Sequence, residues 1–328
     1  MKIMLIGSLK GNLDEGMHNI TFNLYRELSK EHEVLLVDTK NPFVSFKKVR
    51  SFKPEIIHYI HGPTFLSFLL TKFLSIRSDA KTVLSAPQPK IFNSPFASLA
   101  SFIRPSIVLA QSRKSEIMFK RMGIITSFLP NGVNINKFLP ASHKRKEALR
   151  EKYGVDNKKF IVLHVGPIKK NRNVNFLTKI QSNKIQVIIV CSTSFSPEKE
   201  VYIELLKSGC LVWKCFFSNI EEIYQLSDCY IFPVTDPLGC IEIPLSVMEA
   251  MSCNLPVIST AYGGLPDIFS EGKGLFFVKK LEEIPDKLKE AKSVKAQTRR
   301  LVLPYSWEKI VKKLVRIYHK LIDGCSLE

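Results

Sequence analysis

Cysteine is absent from the first 190 residues of this 328-residue chain, and the seven cysteines that follow include no C-x-x-C pair. Scattered thiols within apolar segments are typical of reduced core residues rather than of a zinc site or a disulfide framework. The longest apolar run, Thr64 to Ile76, is interrupted by Lys72 and falls short of the roughly 20 residues of a membrane-spanning helix. Met1 leads directly into a strand-like run without a secretory signal. We therefore expect a globular cytoplasmic protein.

Acidic side chains are scarce, since 48 Lys and Arg stand against 30 Asp and Glu and leave a net charge of +18. Residues 1–150 contain 23 basic and 10 acidic side chains, whereas residues 151–328 contain 25 and 20. This distribution predicts an anionic partner for the first half. No recognised nucleic-acid-binding motif accompanies the charge, which argues against nucleic acid as that partner.

Short β-branched runs alternate with helix-period segments along the whole chain, a pattern typical of parallel sheets covered by helices on both faces. The charged segment 141–152 interrupts the alternation, and we interpret it as the interdomain region. The pattern predicts two doubly wound α/β domains, 1–150 and 151–305, with a ligand crevice at the carboxyl ends of their strands, and a final helix within 306–328. The predicted strands are 1–7, 33–38, 55–61, 81–85, 107–112, 125–129, 160–165, 186–191, 210–213, 229–233, 256–259 and 274–277.

Two loops after predicted strands are candidates for phosphate binding. The first, from Gly7 to Gly16, lacks the G-x-G-x-x-G pattern and the P-loop lysine, and its glycines suit either an anion at the next helix N-terminus or a simple turn. The second begins at Gly166 and continues with Lys169, Lys170 and Arg172. These cations suit a diphosphate, although a solvated basic loop is the alternative.

Two glutamates flank the start of a predicted helix between Asp236 and Met251. Pro244 suits the first turn, which places Glu242 in the preceding loop and Glu249 inside the helix. At 1.5 Å per residue their backbones lie roughly 10 Å apart, wider than the about 5 Å between the carboxyls of a retaining hydrolase. The pattern indicates two anchors on one extended ligand, with a phosphate at the helix N-terminus between them.

Histidines are the other candidates for acid–base chemistry. His61 is expected at the carboxyl end of the strand that also contains His58, and His18 lies in the first turn of the first predicted helix. For each of them a structural role fits as well as a catalytic one.

Several sequence blocks, in this order, resemble the retaining GT-B glycosyltransferases of family 4, also called glycosyl transferases group 1. They are Gly16, Pro54 to His58, Ala110-Gln111-Ser112, Pro130 to Asn134 with Phe138 and Pro140, Val165-Gly166, Ser227-Asp228-Cys229, Glu249-Ala250-Met251 with Leu255 to Ile258, and Gly263 to Asp267.

The resemblance implies a GT-B fold, two Rossmann-like domains facing a central cleft, with the acceptor on the first and a UDP- or GDP-sugar donor on the second. It implies that Glu249, the second glutamate of an E-x7-E motif, binds the ribose hydroxyls. Arg172 stands where relatives use a lysine on the donor diphosphate, and Gly16 would approach donor phosphate and acceptor. The predicted donor-binding residues are Gly16, Gly166, Lys169, Lys170, Arg172, Glu242, Ile243, Leu245, Ser246 and Glu249.

Three departures from the family pattern matter. Ile241 stands at the position of the first glutamate, and we expect Glu242, one residue later, to face the donor sugar through a local shift. Pro167 replaces a common arginine. Ser85 to Gln88 lacks the histidine that relatives often place near the reacting sugar. The candidate catalytic residues are therefore Glu242, His61 and His18.

The expected activity is metal-independent transfer of a hexose from a nucleotide diphosphate donor to an acceptor hydroxyl with retention of configuration. No Asp-x-Asp motif is present, and no metal site or separate cofactor is predicted. The alternatives are a GT-B sugar-nucleotide epimerase or hydrolase, and a non-catalytic basic module that binds an anionic membrane or a polyanion.

The acceptor is predicted to be a lipid-linked or anionic glycan, met by peripheral contact at the inner face of the cell membrane. Cations interleave with phenylalanines in the first half, and a few exposed phenylalanines among cations suit an interfacial face. Each cation near an anionic leaflet is worth about 1 kcal/mol. The residues concerned are Lys47, Lys48, Arg50, Lys53, Lys72, Arg77, Lys81, Lys90, Arg104, and Phe43, Phe46, Phe52, Phe65, Phe68, Phe73, Phe92, Phe96 and Phe102.

Overall fold

The computed structural model describes residues 1–9, 15–39, 48–88 and 102–325. The chain divides into two compact units. The N-terminal unit comprises Met1–Gly132, Ile241–Ile243 and Trp307–Glu328, and the C-terminal unit comprises Val133–Cys240 and Pro244–Ser306. The chain therefore changes unit four times, whereas the sequence pattern predicted changes only near residues 150 and 305.

The strands and helices are named here in chain order. The strands are β1 (Lys2–Gly7), β2 (Glu33–Asp38), β3 (Ile56–Tyr59), β4 (Lys81–Ala86), β5 (Ile107–Ala110), β6 (Thr126–Phe128), β7 (Phe160–Val165), β8 (Ile185–Cys191), β9 (Leu211–Lys214), β10 (Cys229–Phe232), β11 (Val257–Thr260) and β12 (Leu275–Val278). The α-helices are α1 (Gly16–Leu28), α2 (Phe65–Ile76), α3 (Arg113–Arg121), α4 (His143–Lys152), α5 (Lys199–Lys207), α6 (Ile220–Leu226), α7 (Leu245–Ser252), α8 (Leu265–Ile268), α9 (Ile284–Ser293), α10 (Thr298–Val302) and α11 (Trp307–Ile322).

Each unit is built on its own six-stranded parallel sheet. The order is β2-β1-β3-β4-β5-β6 in the N-terminal unit and β12-β11-β10-β7-β8-β9 in the C-terminal unit. The central strands are buried along their length, as in the run from Ile3 to Ile6 of β1 and from Tyr230 to Phe232 of β10. Helices cover both faces of such sheets, which is why these strands are apolar without alternation. The predicted α/β doubly wound fold is confirmed.

The structure differs from the helix predictions at α2, at residues 174–180 and at α4, and the short helices α8 and α10 were not predicted either. Helix α2 was not predicted, because its sequence is apolar nearly all round and has no helical period to detect. The sequence pattern also favours a helix at 174–180, whereas the structure has a 3₁₀ segment there, Val174–Lys179, which follows Asn173 in a left-handed conformation. The charged segment 141–152, interpreted as the interdomain region, contains helix α4 of the C-terminal unit.

Ion pairs explain why α4 forms there. Buried Arg150 donates to Asp228 Oδ2 at 2.6 Å and to Leu226 O at 2.9 Å. Glu222 of α6 accepts from Lys152 and Arg145 at 2.6 and 2.8 Å. The hydrogen bond from Lys152, followed by that from Tyr153, holds the pKa of Glu222 below the usual range, and the charge of Arg145 acts in the same direction. The cations that suggested a solvated linker are therefore neutralised by acids located 70 or more residues later in the chain.

This assignment changes the charge balance between the two parts of the protein. The N-terminal unit contains 23 basic and 13 acidic residues, and the C-terminal unit contains 25 and 17. The excess that residues 1–150 carry as a sequence half is thus shared almost equally between the folded units. Net charge alone no longer points to the N-terminal unit as the place of an anionic partner.

Helix α11 belongs to the N-terminal unit. The side chains of Trp307, Ile310, Leu314 and Tyr318 are buried. A Cβ on Gly132 would lie 2.7 Å from Trp307 Cδ2, so this glycine leaves room for the indole. The sequence predicted this helix and most of its apolar face.

Some of the residues predicted to form an interfacial face lie within the described residues, and others do not. Among the phenylalanines that lie within described residues, Phe73 and Phe102 are exposed, whereas Phe68 is fully buried. Within the described ranges no helix has both the length and the apolar character needed to cross a bilayer. The predicted interfacial residues Lys47, Lys90, Phe43, Phe46, Phe92 and Phe96 lie outside the described residues.

Candidate active site

The C-terminal unit places a buried arginine against the turn that follows β7. Gly166 has φ +150°, and a Cβ there would lie 2.5 Å from Arg172 Nη2. Glycine is therefore required by both backbone conformation and space. The guanidinium of Arg172 occupies the volume that a side chain at position 166 would fill. Position 166 therefore needs glycine when Arg172 is present.

Arg172 has few partners for a buried cation. It is 4% exposed, its Nη1 donates to Gly239 O at 2.6 Å, and its guanidinium lies 5.8 Å from the centre of the Phe232 ring. Its Nε is buried without a hydrogen-bond acceptor, and no carboxylate of the described residues forms an ion pair with it. A buried, uncompensated guanidinium is costly unless an anion is supplied from outside the chain.

His164 of β7 lies beside this arginine. It is fully buried between the rings of Tyr230 and Phe232, and its Nδ1 is 3.0 Å from Ile231 O. Burial and the positive charge of Arg172 lower the pKa of His164 to about 3. The imidazole is therefore neutral at physiological pH and adds no competing charge to the cation.

The two predicted lysines lie differently from Arg172. Lys169 Nζ is 5.3 Å from the centre of the Phe195 ring, and Lys170 is exposed while its backbone N–H donates to Glu198. Both positions leave the ammonium groups within reach of solvent. The structure thus separates one buried cation from two lysines nearer the surface.

Helix α7 begins directly after Pro244, which occupies the N-cap and has no side-chain acceptor. Leu245 and Ser246 are its first two residues. Tyr230 donates its hydroxyl proton to Ser246 Oγ at 2.7 Å. The first N–H groups of α7 are therefore candidates for an anion. Ile243, predicted with them, belongs to the N-terminal unit.

Glu249 lies on the fifth residue of α7, and Tyr224 donates to its Oε2 at 2.7 Å. Burial raises the pKa of Glu249 to about 7, while the hydrogen bond from Tyr224 and the charge of Lys137 act in the opposite direction. Tyr224 is fully buried and fixes the carboxyl from α6. Sequence reasoning missed Tyr224, since nothing in the spacing of 25 residues indicates the contact.

A tyrosine also holds the loop before Ile241. Cys240 N donates to Tyr262 Oη at 2.9 Å, and Tyr262 donates to Cys240 O at 2.7 Å. Gly239 is so closely packed that a Cβ would lie 2.7 Å from Val234 Cγ1. Arg172 therefore receives its one carbonyl acceptor from a loop with little freedom to move.

Glu242 has its partners in the N-terminal unit, at the start of α3. Ser112 and Ser115 donate to its Oε1 at 2.7 and 2.6 Å, and its backbone N–H donates to Pro87 O at 2.7 Å. The carboxylate thus lies at the N-terminus of α3, where the helix dipole favours a negative charge. The role of Glu242 on a donor sugar stays a prediction.

Two motif residues hold the same tripeptide. The amides of Gln111 and Asn131 are paired, at 2.6 and 3.0 Å, and Asn131 Nδ2 also donates to Ile243 O at 2.9 Å. Both amides are buried. Hydrogen bonds to both main-chain and side-chain atoms of Ile241–Ile243 therefore hold this tripeptide in the N-terminal unit.

The N-terminus of α1 is less open than the sequence suggested. Glu15 accepts from the backbone N–H groups of Met17 and His18, at 3.1 and 2.7 Å, and so occupies donors that we expected for an anion. A Cβ on Gly16 would meet only Ile241 Cδ1, at 3.6 Å. Packing among the described residues therefore does not require glycine at position 16.

Three histidines of the N-terminal unit, His18, His58 and His61, differ in their surroundings. His58 is fully buried between Tyr318 Oη, at 2.6 Å, and Ser85 Oγ, at 2.8 Å, and burial lowers its pKa to about 3. His18 is half-buried, with its Nδ1 enclosed and without a hydrogen-bond partner, whereas His61 is exposed. His58 is therefore structural, and the catalytic roles of His18 and His61 stay predictions.

Known proteins share this architecture and part of this sequence. The family model "Glycosyl transferases group 1" matches residues 145–302. This part of the chain is similar to that family. Putative glycosyltransferase EpsD of Bacillus subtilis (strain 168) is 25% identical over 209 residues, which are 58% of this chain and 54% of that protein.

A second relative is alpha-monoglucosyldiacylglycerol synthase of Acholeplasma laidlawii, 26% identical over 232 residues, which are 63% of this chain and 55% of the relative. The chain thus aligns with about half the length of these two curated relatives. The crystal structure of HepE from Anabaena in complex with UDP superposes with a TM-score of 0.75 at 15% identity and covers 98% of this chain and 100% of that one. This likeness shows the GT-B fold.

The group 1 match includes Gly166, Arg172, Tyr224 and Glu249. These residues all lie in the C-terminal unit. Arg172 is distinguished by its burial, and Glu249 by a pKa that burial raises to about 7. The tripeptide with Glu242 also lies inside the matched range, although its contacts are in the N-terminal unit. Among the described residues, no group of three or more metal-ligating side chains is present.

Proposed function

We propose that this chain is a glycosyltransferase that moves a sugar from a nucleotide diphosphate donor to an acceptor hydroxyl with retention of configuration. The observation that carries the proposal is Arg172, a buried guanidinium with one carbonyl acceptor, an unpartnered Nε and no carboxylate partner among the described residues. A diphosphate supplies the missing charge and the missing acceptors at once.

The leaving group determines what catalysis needs here. As the bond from the anomeric carbon to the diphosphate oxygen breaks, negative charge grows on the diphosphate. Arg172 and the first N–H groups of α7 stabilise that charge in a site where water competes weakly. Lys169 and Lys170 add a more distant positive field. Since fixed positive groups perform this task, we propose that transfer needs no metal ion.

Glu249 binds the donor nucleoside in this proposal. Its carboxylate accepts hydrogen bonds from the ribose hydroxyls, and Tyr224 keeps it in place from behind. Hydroxyl donors favour the ionised carboxyl, so donor binding offsets the burial that raises the pKa of Glu249 to about 7. Binding and protonation of this residue are therefore coupled.

The acceptor is proposed to be a lipid-linked or anionic glycan met at a membrane surface. The name of the Acholeplasma laidlawii relative, a diacylglycerol glycolipid synthase, supports a lipid acceptor.

A donor screen tests the proposed function. The full chain is incubated with UDP, GDP, ADP and their sugars, and its melting temperature and calorimetric binding are recorded. At least one nucleotide diphosphate should raise the melting temperature. The matching sugar nucleotide should then be consumed only when an acceptor is present, with the donor's anomeric configuration kept and with activity retained in EDTA.

Variants show whether Arg172 is the group responsible. Arg172→Met should weaken nucleotide diphosphate binding at least tenfold, because a buried bidentate charge is lost. Arg172→Lys keeps the charge and should recover part of the affinity. Lys207→Met, an exposed cation on α5 of the same unit, is the matched control. Absence of any nucleotide signal in the wild-type protein would overturn the proposal, and donor consumption without acceptor would replace it by a hydrolase or epimerase.

A further inference from the structure

Helix α2 presents an exposed apolar stripe. Leu66 is 72% exposed, Ile76 is 70% exposed, and Leu69 and Phe73 are 40% and 41% exposed. These residues follow one another at intervals of three, four and three. Single exposed apolar residues are ordinary, whereas a contiguous patch usually marks a binding surface.

The stripe lies opposite the face that packs on the sheet. At about 100° per residue the four exposed side chains fall within an arc of about 80°. Ser67, Phe68, Thr71 and Leu74 are buried on the other side, where α2 contacts β3 and β4. Packing of α2 in the N-terminal unit is therefore complete without the stripe, and folding alone does not account for its apolar character.

Cations flank the stripe on both sides. Lys72 is exposed and is the only charged residue of α2, and Arg77 caps its carboxyl end. On the same helical projection they lie on opposite sides of the arc, within about 40° of its edges. The Arg77 guanidinium is 4.1 Å from the centre of the Phe73 ring, so this cation lies directly on the apolar surface.

A helix with an apolar stripe between two cations suits an anionic bilayer surface. The apolar side chains enter the boundary between headgroups and acyl chains, and long basic side chains reach back to the lipid phosphates. A protein partner would more commonly require polar complementarity around the stripe. Helix α2 has no acidic residue that would be repelled by the lipids.

We infer that Leu66, Leu69, Phe73 and Ile76, with Lys72 and Arg77, form a docking surface for anionic lipid, here called the α2 surface. The inference deepens the proposed membrane location of the acceptor. It rests on the proposed function only for its purpose, because docking itself involves no donor and no transfer. The α2 surface, rather than the net charge of its unit, carries the attraction.

Sedimentation with vesicles tests the inference on the full chain without nucleotide. Vesicles of phosphatidylcholine with about 30 mol% phosphatidylglycerol, at about 0.1 M salt, are compared with pure phosphatidylcholine. The wild type should bind the anionic vesicles, and Leu66→Ser with Phe73→Ser should bind at least tenfold more weakly. Ile203→Ser with Leu206→Ser, exposed apolar residues on α5 of the C-terminal unit, is the matched control and should bind as the wild type does.

Charge is tested separately by Lys72→Gln with Arg77→Gln. Since one basic residue is worth about fivefold in binding to an anionic leaflet, the pair should cost tenfold or more. Melting temperatures and nucleotide binding should be unchanged in all three variants, which separates loss of docking from loss of the proposed function. Equal binding by the wild type and the α2 variants would overturn the inference, as would a wild-type dimer that the α2 substitutions dissociate.

Discussion

Two buried arginines in the C-terminal unit differ in how far their positive charge is compensated by other residues. Arg150, 6% exposed, donates to Asp228 and to carbonyls, so its charge is compensated inside the protein. Arg172, 4% exposed, donates to a single carbonyl. A structural arginine would gain a carboxylate partner, because an uncompensated buried charge destabilises the fold. Arg172 is the residue expected of a ligand site.

Glu249 leads to a prediction on pH. Only its ionised form is a strong acceptor for ribose hydroxyls, and its pKa is about 7. Affinity for a sugar nucleotide should therefore fall about tenfold from pH 8 to pH 6. The ligand for this measurement should be a sugar nucleotide rather than a nucleoside diphosphate, because the terminal phosphate of a nucleoside diphosphate itself titrates at about pH 6. Glu249→Gln should bind weakly at both pH values, whereas Glu204→Gln on α5 should keep the wild-type profile.

The same residue should influence stability with the opposite dependence. A folded-state pKa above the ordinary value means that the contribution of Glu249 to stability is present below about pH 4.5 and is lost as pH rises through 7. Without ligand at pH 8, the free energy of unfolding of Glu249→Gln should therefore exceed that of the wild type by about 1–3 kcal/mol, as measured by chemical denaturation. This difference should disappear near pH 5. A difference that did not change with pH would contradict a buried, titrating carboxyl.

The sequence predicted Gly166 and Arg172 as candidates because they follow a strand, and Glu249 because it lies in the helix that begins after Pro244. It did not predict Tyr224, Tyr230 or Tyr262, the side chains that hold the site together. Their contacts join residues separated by 16 to 25 positions and depend on how helices and loops pack. The sequence pattern therefore identified the residues proposed to face the ligand, but not the tyrosines that hold them in place.

Among whole elements, strands were easier to predict than helices. The twelve strands found among the described residues all lie within about two residues of the predicted ranges, because buried parallel strands are short and continuously apolar. Helices α2 and α4 were missed for opposite reasons. One is too apolar to show a period, and the other is too charged to resemble part of a folded domain until its ion pairs with α6 are seen.

The tripeptide Ile241–Ile243 is an element that no local pattern could identify. It stands between two segments of the C-terminal unit, yet its hydrogen bonds are with Pro87, Ser112, Ser115 and Asn131 of the N-terminal unit. Asn131 and Gly132 of the Asn-Gly-Val block thus have distinct tasks. The amide holds the tripeptide, and the glycine receives Trp307.

Two glycine substitutions test this packing at the level of helices α1 and α11. Gly132→Ala places a Cβ within 2.8 Å of Trp307 backbone and ring atoms, and such overpacking costs about 1–3 kcal/mol. Gly16→Ala meets only Ile241, at 3.6 Å, and should be neutral or stabilising by up to about 1 kcal/mol. Chemical denaturation measures both.

Transfer activity separates the two glycines further. If Gly16 leaves space for substrate, Gly16→Ala should lose activity while it keeps its stability, and the matched Gly132→Ala should lose stability first. A Gly132→Ala protein as stable as the wild type would contradict the close packing of α11 on the N-terminal unit.

At the scale of the whole molecule, the proposed function places donor binding in the C-terminal unit, and hydrogen exchange tests this placement. Addition of the nucleoside diphosphate that binds in the donor screen should protect amides of residues 166–172 and 244–249, because Arg172 and the first turn of α7 hold the diphosphate there. Amides of β2 to β5, in the N-terminal unit, should exchange as before. Arg172→Met at the same nucleotide concentration should show little protection, and Lys207→Met should match the wild type. Protection confined to the N-terminal unit would contradict this arrangement, because the buried cation that we propose to bind the diphosphate belongs to the C-terminal unit.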